Sequence, residues 1–126
     1  MPWFHKHLGN LYFYDFKLDE AVAEYKAAIR QDPREMSAYK NMGFACYMSG
    51  ICGRPGGYEE AAAAFEHAVE LSPSDGEALY GLGISCESLG NTDAAFGVYF
   101  KLRALDKEWA DRLRDDLIKE NSRGRL

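Results

Sequence analysis

The stretch Ala21-Val22-Ala23-Glu24-Tyr25-Lys26-Ala27-Ala28-Ile29-Arg30-Gln31-Asp32-Pro33 returns forty residues later as Ala61-Ala62-Ala63-Ala64-Phe65-Glu66-His67-Ala68-Val69-Glu70-Leu71-Ser72-Pro73. In both copies small or apolar residues fall at i, i+1, i+4, i+7 and i+8, which is one stripe along an amphipathic helix. Both copies end at a proline preceded by Asp or Ser. A third, partial copy follows, with Ala95 and Tyr99 standing 34 residues after Ala61 and Phe65.

A second set of anchors fixes the period. Leu8-Gly9, Met42-Gly43 and Leu82-Gly83 are separated by 34 and then 40 residues, whereas the Ala21, Ala61, Ala95 series steps by 40 and then 34. One period of 34 explains every anchor if six extra residues lie between Cys46 and Ala61. Turn chemistry is densest in Gly50-Ile51-Cys52-Gly53-Arg54-Pro55-Gly56-Gly57, so the insertion belongs there.

Capping signals divide the repeats into helices. Asp32-Pro33-Arg34-Glu35 reads as an N-cap, a proline at the first helical position and a capping-box acid. Ser72-Pro73-Ser74-Asp75 repeats the arrangement, with the acid favoured by the helix dipole. The expected helices span 2–14, 18–31, 34–49, 57–71, 75–89, 92–105 and 107–120. Small residues at Gly9, Gly43, Gly83 and the recurring alanines let helix axes approach, and the aromatics fill the space between. In the last helix Trp109, Leu113 and Leu117 lie four apart beside Ala110, with charged residues elsewhere. Such a helix is expected to cover the exposed end of an array, packing on the Phe96/Phe100 side of the third hairpin. Residues 121–126 are expected to fray. The start of the chain, with Trp3, Phe4 and Leu8, has no such cover, and this apolar edge could pair with a second copy.

A 34-residue period with Leu-Gly early, Ala and an aromatic in the middle and Pro near the end resembles the tetratricopeptide repeat family. The first repeat carries Leu8, Gly9, Tyr12, Ala21, Tyr25, Ala28 and Pro33. The second carries Tyr39, Met42, Gly43, Ala61, Phe65, Ala68 and Pro73. The third carries Leu79, Leu82, Gly83, Ala95 and Tyr99, then departs, with Leu102 where a small residue is usual and Lys107 where Pro is usual. The resemblance implies an all-α fold: a right-handed α-solenoid of three helix-turn-helix hairpins with a C-terminal capping helix. The expected organisation is a single domain over 1–126, with repeats near 2–35, 36–75 (holding the insertion) and 76–106 and the capping helix at 107–120.

Composition agrees with a folded globular chain: 47% apolar and 28% charged residues argue against disorder. No apolar run reaches the ~18 residues of a membrane span. No signal peptide is expected before the repeats. The three cysteines, Cys46, Cys52 and Cys86, are scattered and odd in number, so a reduced, cytoplasmic compartment is expected. They lack metal-ligand spacing, and no nucleophile–base arrangement stands out. Neither a cofactor, a metal nor an enzymatic activity is therefore expected. The net charge of -5 disfavours nucleic acid, including the alternative of an RNA-binding helical repeat. From Pro55 to Phe100 there is no Lys or Arg and there are eight acids, which reads as solvated helix faces or as a field that steers a basic partner segment.

In the resembled family the first helix of each hairpin lines a concave surface that binds protein segments. Carried onto this chain, that groove consists of Lys6, Asn10 and Phe13, then Lys40, Asn41, Phe44 and Tyr47, then Glu77, Tyr80, Ile84 and Glu87. It is aromatic, and aromatic anchors dominate interface energetics. The resemblance thus implies a scaffold or adaptor that holds a peptide of a partner protein. One subclass grips the C-terminal carboxylate of chaperone tails with a Lys and an Asn, a second Asn, then a Lys and an Arg. Here Lys6, Asn10 and Asn41 match the first three, while Glu77 and Gly81 stand at the last two. Charges at Lys6 and Lys40 against Glu77 and Glu87 suggest instead a ligand with opposite charges at its two ends. A self-associating segment of a longer solenoid is the structural alternative.

Overall fold

The computed structural model describes residues 2–124, and side chains over residues 3–120. Among these residues there are seven helices: α1 (Pro2–Tyr14), α2 (Leu18–Gln31), α3 (Met36–Ile51), α4 (Gly57–Leu71), α5 (Gly76–Ser88), α6 (Thr92–Leu105) and α7 (Lys107–Gly124). Each helix packs on the next. Contacts of α1 with α3 and of α3 with α5 join the odd-numbered helices along one side, and α7 rests on both α5 and α6. The fold is an all-α helical repeat.

The recurring small residues make the close contacts that the period implies. A Cβ on Gly9 would meet the Tyr25 ring at 2.7 Å, and one on Gly43 the Phe65 ring at 2.8 Å. One on Gly83 would meet Leu113 at 2.7 Å. Ala21, Ala61 and Ala95 are fully buried, as are Ala28 and Ala68. Tyr25 and Phe65 centre one apolar cluster over the first two hairpins; Leu79, Leu102 and Leu113 centre another at the other end. Leu82 touches both clusters and so joins them.

Two capping assignments need correction. Helix α3 begins at Met36, and Asp32 closes α2; its carboxylate accepts from the Arg34 N–H at 3.1 Å inside the turn. Glu35 is the N-cap residue, but its side chain makes no capping hydrogen bond. Likewise α5 begins at Gly76, and Asp75, not Ser72, is its cap, accepting from Ala78 N–H at 2.9 Å. In both linkers the proline lies in the turn, two residues before the cap, where its fixed φ shapes the corner. Asn91 caps α6 in the same way as Asp75, accepting from Ala94 N–H.

The six inserted residues are shared out. Compared with the other hairpins, three lengthen α3, one lengthens α4 and two lengthen the loop between them. Gly53 and Gly56 turn that loop with φ of 95° and 80°, where a Cβ would be strained. Arg54 ties the loop to the first hairpin through Asp19 at 3.1 Å and reaches Glu60 at 3.8 Å.

Helix α7 caps the array on a different face from the one expected. Phe96 and Phe100 are 40% and 59% exposed. The contacts run through Val98 and Leu102 instead, two residues along and so on the opposite face of α6. Trp109 lies over Gly76 and against Tyr80, with ring centroids 5.0 Å apart. Helix α7 is continuous through Gly124; of the tail expected to fray, residues 125–126 lie outside the described ones.

Candidate functional site

Nine of the eleven expected groove positions on α1, α3 and α5 divide between two hollows. The first, of about 260 Å³, is lined by Asn10, Phe13, Asn41, Phe44 and Glu77, joined by Tyr14, Tyr25 and Met48. The second, of about 350 Å³, is lined by Tyr47, Tyr80, Ile84 and Glu87, joined by Ser88 and five residues of α7. Lys6 and Lys40 line neither hollow.

The polar groups of the first hollow are tied together. Asn10 Oδ1 accepts from the Tyr25 hydroxyl at 2.5 Å and from Asn41 Nδ2 at 3.0 Å. Those two bonds orient both amides, with Asn10 Oδ1 as the shared acceptor. Burial pushes the Tyr25 hydroxyl well above its ordinary pKa, so it stays a donor. Phe44 stacks edge-on against Phe65 at 4.8 Å, which fixes its ring. Tyr14, by contrast, is 83% exposed at the rim.

The lysines do not form the positive end of a gradient. Lys40 Nζ lies 2.9 Å from Glu77 and 3.3 Å from Asp75. Lys6 Nζ lies 3.6 Å from Glu35 and donates to Ser37 Oγ at 3.2 Å. Burial pulls the Lys40 pKa down, but Glu77 and Asp75 outweigh it and the net shift is upward. Glu35 is held below its ordinary value by the Ser37 hydroxyl, against the opposing effect of burial and with help from Lys6 and the Ser37 backbone N–H. The expectation of lysines at one end and acids at the other is therefore corrected. Consecutive first helices lie side by side, so a Lys on α3 meets the acids at the start of α5.

In the second hollow Ser88 Oγ donates to the Tyr47 hydroxyl at 3.4 Å, and the Tyr80 hydroxyl donates to Asp116 on α7. Burial raises the pKa of Tyr47 and Tyr80, and at Tyr80 the Asp116 carboxylate adds to it. Glu87 is only 4% exposed. The α7 wall consists of Leu113, Asp116, Leu117, Lys119 and Glu120. Sequence reading assigns α7 a covering role alone. The signal for more is present: Asp116 and Glu120 lie three residues after Leu113 and Leu117, and i, i+3 neighbours share a face.

The cysteines lie away from this chemistry. Cys46 is buried beside Glu60, and burial, then Glu60, pushes its thiol up to about 12. Burial also raises Cys86, and Cys52 is exposed on the inserted loop. No group of three potential metal ligands occurs among the described residues, and no described helix is long and apolar enough to cross a membrane.

Comparison with known proteins places this geometry among relatives. Family models described as TPR repeat and tetratricopeptide repeat match residues 9–50 and 54–107 respectively. The chain is 32% identical over 77 residues to the small glutamine-rich tetratricopeptide repeat-containing protein 2 of Mycosarcoma maydis; the match spans 61% of this chain and 20% of that protein. Among solved structures, the first TPR of Spaghetti (RPAP3) bound to the HSP90 peptide SRMEEVD superposes with a TM-score of 0.80 at 24% identity, covering 90% of this chain and 88% of that one. The Arabidopsis OM64 TPR domain gives a TM-score of 0.80 at 20% identity, covering 94% and 95%. At these identities the structural likeness concerns the fold.

Proposed function

The chain belongs to the tetratricopeptide repeat family, and from that premise we propose that it is a protein-interaction module, a scaffold or adaptor and not a catalyst. In this reading the three repeats run near 2–35, 36–75 and 76–106, and the groove of α1, α3 and α5 holds an extended peptide segment of a partner protein. The observation that carries it is the first hollow. Phe13, Tyr14 and Phe44 stand around the fixed Asn10–Asn41 pair, which combines apolar anchors with oriented amides.

A grip on a chaperone-tail carboxylate fits less well. Two third-repeat cations would be needed to hold the carboxylate by charge-assisted bonds. Glu77 occupies one of those positions. Gly81 occupies the other, and a Cβ there would run into the Phe65 ring. The Lys6 ammonium is already engaged by Glu35 and Ser37. The peptide named with the Spaghetti structure is therefore a control ligand for this chain rather than its expected one.

Selection of a displayed random dodecapeptide library against the chain tests the groove. Enriched peptides should lose binding when Tyr14→Ala and Asn41→Ala are introduced. Peptides that bind those variants as tightly as the wild type would count against the assignment.

The outward side of α1 favours a second reading. Trp3, Phe4 and Leu11 are each more than half exposed, an apolar patch of the kind that stacks on another repeat. Light scattering over a range of concentrations distinguishes self-association from a monomer.

A further inference from the structure

The α7 wall of the second hollow brings acid into a space already enclosed by aromatic and apolar side chains. Tyr47 of α3 and Tyr80 of α5 line it, and partly buried Ile84 of α5 contributes an apolar surface. Asp116 and Glu120 stand on the same wall, with Lys119 the one cation among the described lining residues. We propose that this hollow receives the cationic side chain of a lysine or arginine in the groove-bound peptide. The inference rests on the groove reading above and sharpens it by fixing the charge of the ligand.

Shape and chemistry agree on this occupant. The methylene stem of Lys or Arg packs along apolar and aromatic walls while its head seeks carboxylates. A cation over a tyrosine face gains further attraction. The neighbouring aromatic stack already holds one: Arg112 sits 5.0 Å from the centre of the Trp109 ring, which is itself packed on Tyr80. The charge balance of the whole groove points the same way. Lys6 and Lys40 are paired with Glu35 and Glu77, so neither lysine is left to draw an anionic ligand. A carboxylate ligand entering the second hollow would meet only Lys119 against the acids, in a partly enclosed space where charge interactions are less screened.

The library selection above supplies the probe. The best-enriched dodecapeptide is resynthesised with citrulline for each arginine or norleucine for each lysine, and binding is measured by calorimetry to the wild type and to Asp116→Asn/Glu120→Gln. The Asp116→Asn change keeps an acceptor for the Tyr80 hydroxyl, and circular dichroism verifies the fold; Glu120→Gln alone serves if the pair is unstable. The expected result is one basic position at constant spacing from the apolar anchors. Its neutral replacement weakens wild-type binding roughly tenfold, about 1.4 kcal/mol, and changes binding to the double variant little. Peptides that lose affinity with Tyr14→Ala but tolerate the neutral replacement overturn this inference and leave the groove reading intact. Peptides indifferent to both Tyr14→Ala and the α7 variant overturn both, as does a library that yields no binder.

Discussion

The Phe65 ring fills the place that a Cβ on Gly81 would take. The same ring lies 2.8 Å from the corresponding point on Gly43. One side chain of α4 thus sets how closely α3 and α5 approach it.

Gly81→Ala should therefore destabilise the chain by about 1–3 kcal/mol, the range for forcing a methyl into a packed core. Gly97 lies in the middle of α6, where nothing stands within 4 Å of a Cβ. Gly97→Ala should stabilise by about 0.5–1 kcal/mol. Urea unfolding followed by circular dichroism reads both, and equal effects would contradict the contact.

The placement of α7 gives a second contrast. Leu113 is fully buried, so Leu113→Ala should cost about 2–5 kcal/mol. Phe100 is larger but mostly exposed, so Phe100→Ala should stay within about 0.5 kcal/mol of the wild type. The order would reverse if α7 lay on the Phe96/Phe100 side.

These contrasts mark where sequence was informative. The period located Gly9, Gly43, Ala61 and Phe65 because backbone approach demands a small residue opposite each ring, and that demand recurs every 34 residues. Helices α1, α2, α4 and α6 kept their expected bounds for the same reason. Caps failed at Asp32 and Ser72 because a proline serves equally at a helix start or in the preceding turn, and local pattern cannot choose between them. Nine of the eleven groove positions fell in the two hollows because they ride on helices already placed. Their pairing was not legible: that Lys40 meets Glu77 depends on how far α5 is displaced from α3. Nor was the acid of α7 assigned to the groove, since a helix's covering face can be read from spacing but not which neighbours its flanks reach.

Stability should fall on the alkaline side. Cys46, Tyr25 and Tyr80 all have folded pKa values raised by burial above their ordinary ones. For such groups the unfolded chain loses its protons first, so the stabilisation is full below the ordinary values and is lost as pH rises through the folded ones. The Cys46 thiol, moved from 9.0 to about 12, sets the lower edge of the window. Urea midpoints should decline above pH 9, and Cys46→Ala should make the early part of that decline shallower. Glu35 acts in the opposite sense. Its folded pKa is lowered, so its contribution is present above the ordinary carboxylate value and is lost on acidification; Ser37→Ala should weaken that acid dependence.

Thiol labelling should separate the cysteines. Cys52 is exposed, while burial raises the pKa of Cys46 and Cys86. The native chain near pH 8 should react rapidly at Cys52 alone, and the urea-unfolded chain at all three cysteines. Peptide mapping of the labelled chain checks the assignment.

The central claim is that a partner peptide lies along α1, α3 and α5. Amide chemical-shift mapping of the isotope-labelled chain during titration with a library-selected peptide tests it most directly. The account predicts the largest shifts at Asn10, Phe13, Asn41, Phe44, Tyr47 and Tyr80. Shifts confined to Lys26, Arg30 and His67, which line a separate hollow among α2, α3 and α4, would contradict it.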